Sequence, residues 1–248
     1  MLSIIIPTYN EEKYIRDAIG QFNGLKLPHE IIVTDDKSTD QTAAFAQAAA
    51  KAATLDGRSL IQVLVPESKH RTIAANRNDG ARRATGDILV FMDGDSRIMD
   101  VNNFFQKAME RFEKHPEMVA LTGIFGVLPQ LATRADKIVY FVFNLVHRFK
   151  NNVIHVGEAP GKFMMIRHDA FKKVNGFRED LVSREDGDLF QRLAKIGRTY
   201  CDKGLPVFHH GRRSRKLGWP RLLWIWMFDA AHLALFDKVY SKDWKPVR

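Results

Sequence analysis

Three acidic clusters in this chain have the residue types and spacing for chemistry on a phosphorylated or hydroxylated ligand. Asp93-Gly94-Asp95 sets two carboxylates one residue apart. Paired hard oxygens suit Mg2+ or Mn2+, ions that also bind phosphate oxygens and neutralise a departing diphosphate. The glycine between them lets a ligand approach the backbone. Asp35-Asp36 can accept hydrogen bonds from a ribose hydroxyl or a base N–H, although residues 35–40, Asp-Asp-Lys-Ser-Thr-Asp, are equally a turn and helix-entry sequence. Glu185-Asp186-Gly187-Asp188 opens a helical stretch, where the helix dipole favours acidic side chains; one of them, partly desolvated, can take a proton from an incoming hydroxyl. His209-His210 can complete a metal shell or touch a diphosphate, with a core or surface role equally open. Arg71, Arg77, Arg82, Arg83 and the run Arg212 to Lys216 are the candidate phosphate-neutralising cations.

A scaffold must place these groups, and the first half of the chain supplies one. Apolar, β-branched runs at Leu2 to Ile6, Ile31 to Thr34, Leu60 to Val65 and Ile88 to Met92 read as strands. Amphipathic stretches between them predict helices over 11–23, Thr39 to Ala53 and Thr72 to Ala84, the second opened by a Ser38/Gln41 capping box. This alternation predicts an α/β fold with a mostly parallel sheet flanked by helices. In such a sheet the ligand crevice lies beyond the carboxyl ends of the strands, which is where Asp36, Asp93 and Asp95 fall. Asp-x-Asp by itself is ordinary turn sequence; its place after a very apolar strand argues for more. Beyond Asp100 the pattern loosens, with helices over 101–114, 131–149 and Asp186 to Ile196, and strand-like runs at 118–128, Lys162 to Ile166 and Pro206 to Phe208. The chain therefore reads as one domain over 1–211, a nucleotide-type half at 1–99 continued by a more variable half at 100–211, followed by a separate segment at 212–248.

Composition narrows the classes. The chain has 248 residues, 45% hydrophobic and 27% charged, and a net charge of +9, enough for one sizeable core and a basic surface suited to nucleic acid, an anionic membrane or a phosphorylated small molecule. The basic residues are scattered apart from one cluster and no nucleic-acid reading motif is present, so a nucleic-acid-binding module rests on charge alone. No Gly-x-Gly-x-x-Gly follows the first strand, which argues against a Rossmann dehydrogenase. Pro7-Thr8-Tyr9-Asn10-Glu11 stands where a sugar-phosphate nucleotidyltransferase would carry a glycine-rich phosphate loop. The opening residues lack the pattern of a secretory leader, and a single Cys201 can form neither an internal disulfide nor a cysteine cluster; both predict a reducing, cytoplasmic setting. In the last segment Arg212 to Lys216 precedes Trp219, Trp224, Trp226 and Phe228. The apolar run Leu222 to Phe228 is too short to span a bilayer. A basic, tryptophan-rich segment suits the inner face of a membrane, the alternative being a C-terminal helix packed over the core.

Taken in order, Ile4-Ile5-Ile6-Pro7-Thr8-Tyr9-Asn10-Glu11, Val33-Thr34-Asp35-Asp36, Asn76-Arg77-Asn78 with Gly80, Gly86-Asp87, Asp93-Gly94-Asp95, and Gly176-Phe177 followed by Glu185-Asp186 resemble family 2 glycosyltransferases over residues 2 to 210. The resemblance implies the GT-A fold, a nucleotide-binding sheet continued into an acceptor-binding half, and inverting transfer from a UDP- or GDP-sugar with a divalent cation. It implies that Pro7, Thr8, Tyr9 and Glu11 line the base and ribose pocket, that Asp36 contacts the base, and that Arg77, Gly94 and Arg212 also lie on the donor side. Asp93 would serve the ribose or the metal, Asp95 the metal, and a histidine at His209 would contact the metal. Asp186 would be the base and Glu185 would orient it or the acceptor, while Arg212 to Arg215 would form a mobile loop over the diphosphate. Two departures stand out. Lys37 replaces the usual glycine after the paired aspartates, which predicts that no positive φ is needed there. Gln191-Arg192 is not followed by the Arg-Trp pair of processive synthases, so a non-processive enzyme acting on a lipid-linked or saccharide acceptor is expected.

Overall fold

A computed structural model describes residues 1–56, 60–64 and 72–241; Arg71, Val65 and the end of the basic tail lie outside these residues. Seven strands, β1 (Leu2–Thr8), β2 (His29–Asp35), β3 (Leu60–Leu64), β4 (Ile88–Met92), β5 (Met118–Val127), β6 (Phe163–Arg167) and β7 (Arg198–His209), form one sheet in the order β3-β2-β1-β4-β6-β5-β7. β1, β2, β3 and β4 pair in parallel, as do β5 and β7. Only β6 is reversed, antiparallel to both β4 and β5. The predicted α/β, mostly parallel sheet is therefore the observed one.

The near-continuous apolar strands are those of a sheet covered on both faces. Alternate residues divide between two cores. Ile4, Ile6, Val90, Met92, Phe163 and Met165 pack with Phe22 and with Phe104, Phe105 and Phe112. Ile5, Leu89, Phe91, Met164 and Ile166 pack with Phe171, Leu189, Phe190 and Leu193. The covering helices are α1 (Ile15–Gly20), α2 (Thr42–Asp56), α3 (Ile73–Arg83), α4 (Val101–Lys114), α5 (Arg134–Asn152), α6 (His168–Lys173) and α7 (Glu185–Ala194), followed by α8 (Arg212–Leu217) and α9 (Trp219–Phe236).

Several helix starts follow side-chain chemistry that periodicity does not locate. The Ser38/Gln41 capping box is not formed: Ser38 Oγ donates to Asp35 Oδ1 and accepts the Asn10 N–H. The α2 entry instead uses Asp40 Oδ1, which accepts the Thr42 N–H at 2.9 Å. α5 begins at a Thr133/Asp136 capping box. The expected mobile loop at Arg212 to Arg215 is the short helix α8, reached through Gly211 at φ +65. A Cβ there would also come within 2.9 Å of Val127 Cγ2, so the turn out of β7 needs glycine on both counts.

α9 is two-sided. Leu222 and Asp229 are buried, and Trp219 and Trp226 pack on Tyr140 and Phe143 of α5. Trp224, Met227, Phe228, Leu235 and Phe236 face outward. α5 also turns an apolar stripe to solvent: Ile138, Phe141, Val142, Leu145 and Phe149 recur at helical spacing and are all exposed, Phe141 at 69%. Among the described residues no helix is long and apolar enough to cross a membrane.

Candidate active site

The carboxyl ends of β1, β2 and β4 lie side by side, and the acidic motifs extend from them. Pro7 and Thr8 end β1 as buried residues, and Tyr9 follows half-buried. Thr8 Oγ1 donates to Asp35 Oδ1 at 3.0 Å, and Ser38 donates its backbone N–H to Asp35 Oδ2. Asp35 is thus the residue that holds the turn, while Asp36 extends the β1–β2 pairing through its N–H to Thr8 O, at 2.9 Å. Lys37 overturns the expectation placed on it. It sits at φ +55, a left-handed conformation that costs a non-glycine residue about 1–2 kcal/mol. The hydrogen bonds of Asp35 to Ser38 on its far side close the turn tightly enough to impose it.

Beyond β4, all four carboxylate oxygens of Asp93 and Asp95 face cations. Arg77 Nη2 donates to Asp93 Oδ1 at 2.9 Å; Lys162 Nζ lies 3.0 Å from Asp93 Oδ2 and 3.0 Å from Asp95 Oδ1; Arg212 Nε donates to Asp95 Oδ2 at 3.1 Å. Arg212 also clamps Glu11 with two bonds of 3.0 Å, a bidentate pairing that ties the start of α8 to the turn after β1. Burial pushes the Asp95 carboxyl up, but Lys162, Arg212 and His209 outweigh it and hold it well below the usual carboxylate range. Burial likewise opposes the Lys162 charge, and Asp95 and Asp93 overcome it and raise the ammonium. A Cβ on Gly94 would meet nothing closer than Glu11 Cγ at 3.6 Å. The fold itself therefore does not demand glycine there, which is consistent with the room being kept for a ligand.

Arg77, expected among the donor-side residues, is only 1% exposed. It spends its guanidinium inside the protein, with Nη1 on Glu185 Oε1 at 2.9 Å and Nη2 on Asp93 and on Gly161 O, both at 2.9 Å. A Cβ at Gly161 would stand 2.7 Å from Nη2, so glycine is what admits the arginine. Arg77 thus joins the Asp93 motif to the Glu185-Asp186 motif, 108 residues apart from Arg77 to Glu185.

Glu185 and Asp186 open α7 after Arg184, which is left-handed at φ +64. Glu185 is taken by Arg77, whereas Asp186 makes no ion pair among the described residues and accepts only the Gly187 N–H, at Oδ1 and 2.7 Å. Burial, then repulsion from Glu185, raise its carboxyl to about 7. A carboxylate poised there can accept a proton near neutral pH.

His209 lies at the end of β7, buried beside the same cluster. Its Nδ1 accepts the Gly211 N–H at 3.0 Å, which puts the proton of a neutral ring on Nε2. Burial brings its pKa down to about 3. Nε2 has no partner among the described residues. In this arrangement His209 offers an N–H, and ligation of a metal through Nε2 would require the other tautomer. Among the described residues no group of three or more His, Cys, Asp and Glu is arranged as a metal cage. Asp93 and Asp95 nonetheless converge two oxygens on one point that the Lys162 ammonium fills. That donor set fits a divalent cation completed by water and phosphate oxygens. Lys162 was not among the expected site residues.

The sheet order and the acidic motifs at its carboxyl edge are those of the GT-A architecture. Residues 3–174 match the family model "Glycosyl transferase family 2", and the chain belongs to that family of glycosyltransferases. It is 31% identical over 250 residues to glycosyltransferase AglE of Haloferax volcanii, covering 94% of this chain and 76% of that one. It is 25% identical over 233 residues, 87% of this chain and 68% of the relative, to a dolichyl N-acetyl-alpha-D-glucosaminyl phosphate 3-beta-D-2,3-diacetamido-2,3-dideoxy-beta-D-glucuronosyltransferase of Methanococcus voltae. Among solved structures it is similar in fold to the mannosyltransferase PcManGT of Pyrobaculum calidifontis, in complex with GDP-Man and Mn2+, at a TM-score of 0.69 and 18% identity. The alignment covers 84% of this chain and 56% of that one, so the chain spans little more than half the length of that structure.

Removing Arg77 would leave Asp93 and Glu185 facing each other across a buried gap. Arg77→Ala is expected to lower unfolding free energy in urea by about 3–5 kcal/mol, the cost of stranding buried charges. A loss below about 1 kcal/mol, the range of exposed ion pairs, would contradict its place at the centre of the site.

Proposed function

We propose that the chain transfers a sugar from a UDP- or GDP-sugar to an acceptor hydroxyl by a single displacement that inverts the anomeric carbon. The observation that carries this reading is Asp186: a carboxyl with a pKa near 7, free of ion pairs among the described residues, and coupled through Arg77 to the Asp93 motif. In the reaction the acceptor oxygen attacks the anomeric carbon while the bond to the diphosphate oxygen breaks and its electron pair leaves with the diphosphate. The acceptor's proton passes to Asp186. Glu185, fixed by Arg77, adds the negative charge that raises the base.

Pro7, Thr8, Tyr9, Glu11 and Asp36 would frame the base and ribose at the ends of β1 and β2. Gly94 would let the diphosphate approach the backbone, and Arg212 and the Nε2–H of His209 would supply positive charge and a hydrogen bond to its oxygens. Asp93 and Asp95 would hold a divalent cation, which when bound neutralises charge on the leaving diphosphate. Residues 1–99 would serve the donor and 100–211 the acceptor.

The acceptor is proposed to be lipid-linked, reached from a membrane surface. The outward apolar side of α9 and the exposed stripe of α5 support this, with Lys216 and Arg221 exposed nearby. The Methanococcus voltae relative is named for a dolichyl phosphate-linked saccharide.

Asp186→Asn is expected to cut turnover by about 100-fold or more while leaving binding of the sugar nucleotide intact; wild-type turnover should rise with pH through about 7 as the base loses its proton. The linkage has a definite sign. The folded chain keeps this proton up to about 7, against 3.8 for an unperturbed aspartate, so its stabilising contribution is whole below 3.8 and lost as pH rises through 7. Asp186→Asn should therefore melt above wild type at pH 8, by about 2–4 °C for ~1 kcal/mol. Full turnover in that variant would sink the base assignment. For the membrane, the chain should co-sediment with vesicles containing phosphatidylglycerol, and Trp224→Ser with Phe228→Ser should weaken this several-fold; equal sedimentation of the double variant would remove α9 from the contact.

A further inference from the structure

Lys162 is placed by the sheet, not by chance contact. β4 and β6 run antiparallel with Met92 opposite Phe163, so the next cross-strand neighbours beyond the paired ends are Asp93 and Lys162. Ser96 Oγ donates to the Lys162 carbonyl at 3.1 Å and fixes the backbone there. The ammonium then stands 3.0 Å from one oxygen of each aspartate. This is the point on which a divalent cation bridging Asp93 and Asp95 would centre.

The three cations of the cluster are not anchored alike. Arg77 keeps Glu185 and Gly161 O as partners, and Arg212 keeps Glu11. Lys162 Nζ has only the two aspartates among the described residues. Its side chain is 28% exposed, so it has a way out to solvent on a flexible four-carbon stem. An ammonium and a divalent cation cannot share one point between two carboxylates. Of the three cations, Lys162 is the one that metal entry would release, and its nearest new anionic partner would be a diphosphate bound at the same edge.

We infer that Lys162 is the resident counter-ion of the Asp93–Asp95 pair, which a divalent cation displaces and which then turns to the donor's diphosphate, so that metal and donor bind cooperatively. The inference rests on the donor reading given above for its last step only. Its first consequence is independent of any nucleotide: the free protein binds Mn2+ weakly because its own lysine competes.

The test is a titration of Mn2+ followed by electron paramagnetic resonance of the free ion, with melting temperatures alongside. Wild type, Lys162→Gln, Lys162→Met and the double variant Lys162→Gln/Asp95→Asn are compared without nucleotide and with UDP or GDP. Without nucleotide, Lys162→Gln and Lys162→Met should bind Mn2+ at least tenfold tighter than wild type and gain more in melting temperature from it; adding Asp95→Asn should abolish the gain. A variant destabilised without Mn2+ and restored by it is the same result read thermally. Nucleoside diphosphate should tighten Mn2+ binding more in wild type than in Lys162→Gln. Folded Lys162 variants that bind Mn2+ no tighter than wild type would overturn the inference. Failure of UDP and GDP to bind any of the proteins would instead overturn the donor reading, and the nucleotide-free comparison would still decide the competition.

Discussion

A buried guanidinium organises this molecule. Arg77 sits on α3, in the half of the chain that carries the first four strands, and its partners are Asp93 after β4, the Gly161 carbonyl before β6 and Glu185 at the start of α7. Glu185 alone would be a costly buried charge; with Asp93 and the Gly161 carbonyl it offsets the desolvation of the arginine. One consequence is positional, since the Asp93-Gly94-Asp95 and Glu185-Asp186 motifs are held in fixed relation across the sheet. The other is electrostatic: burial, and then repulsion from Glu185 held beside it, lift the Asp186 carboxyl to about 7. Structure and reactivity thus depend on the same contact.

Around that node the cluster pairs its carboxylates with cations, with one carboxylate in excess. Four carboxylates, Glu11, Asp93, Asp95 and Glu185, meet three cations, Arg77, Lys162 and Arg212. Asp186 is left outside these pairings and is the group whose ionisation is easiest to change. A site built in this way can exchange one counter-ion without collapsing, because the arginines hold the frame while the lysine does not.

Much of this was legible in the sequence, and the limits are physical. The strands at Leu2 to Ile6 and Ile88 to Met92 declare themselves because burial on both faces demands unbroken apolar runs. Asp93 and Asp95 are conspicuous because they stand directly beyond such a strand, whereas Asp186 stands out only through the ordered resemblance, since a helix start favours acidic side chains by itself. Their counter-ions carry no such mark. Lys162 acquires its role only from the antiparallel pairing of β6 with β4, a long-range register that local pattern does not encode. Arg77 reads as a phosphate-neutralising cation on the donor side because nothing in Asn76-Arg77-Asn78 signals the glycine at 161 that lets it pair inside the protein instead. Lys37 failed in the opposite sense: absence of glycine argued against a left-handed turn, yet the hydrogen bonds around Asp35 impose one. The segment 131–149 reads as a helix, but its outward apolar stripe does not show in the sequence, because periodicity locates a face but not what it faces.

The most direct test of the proposed chemistry follows the two products of one reaction. The chain, with Mn2+, an α-configured UDP- or GDP-sugar and a lipid-phosphate or saccharide acceptor, can be monitored by phosphorus and proton magnetic resonance. The account predicts release of the nucleoside diphosphate together with a product of β configuration. Release of pyrophosphate, or a product that retains the α configuration, would contradict it.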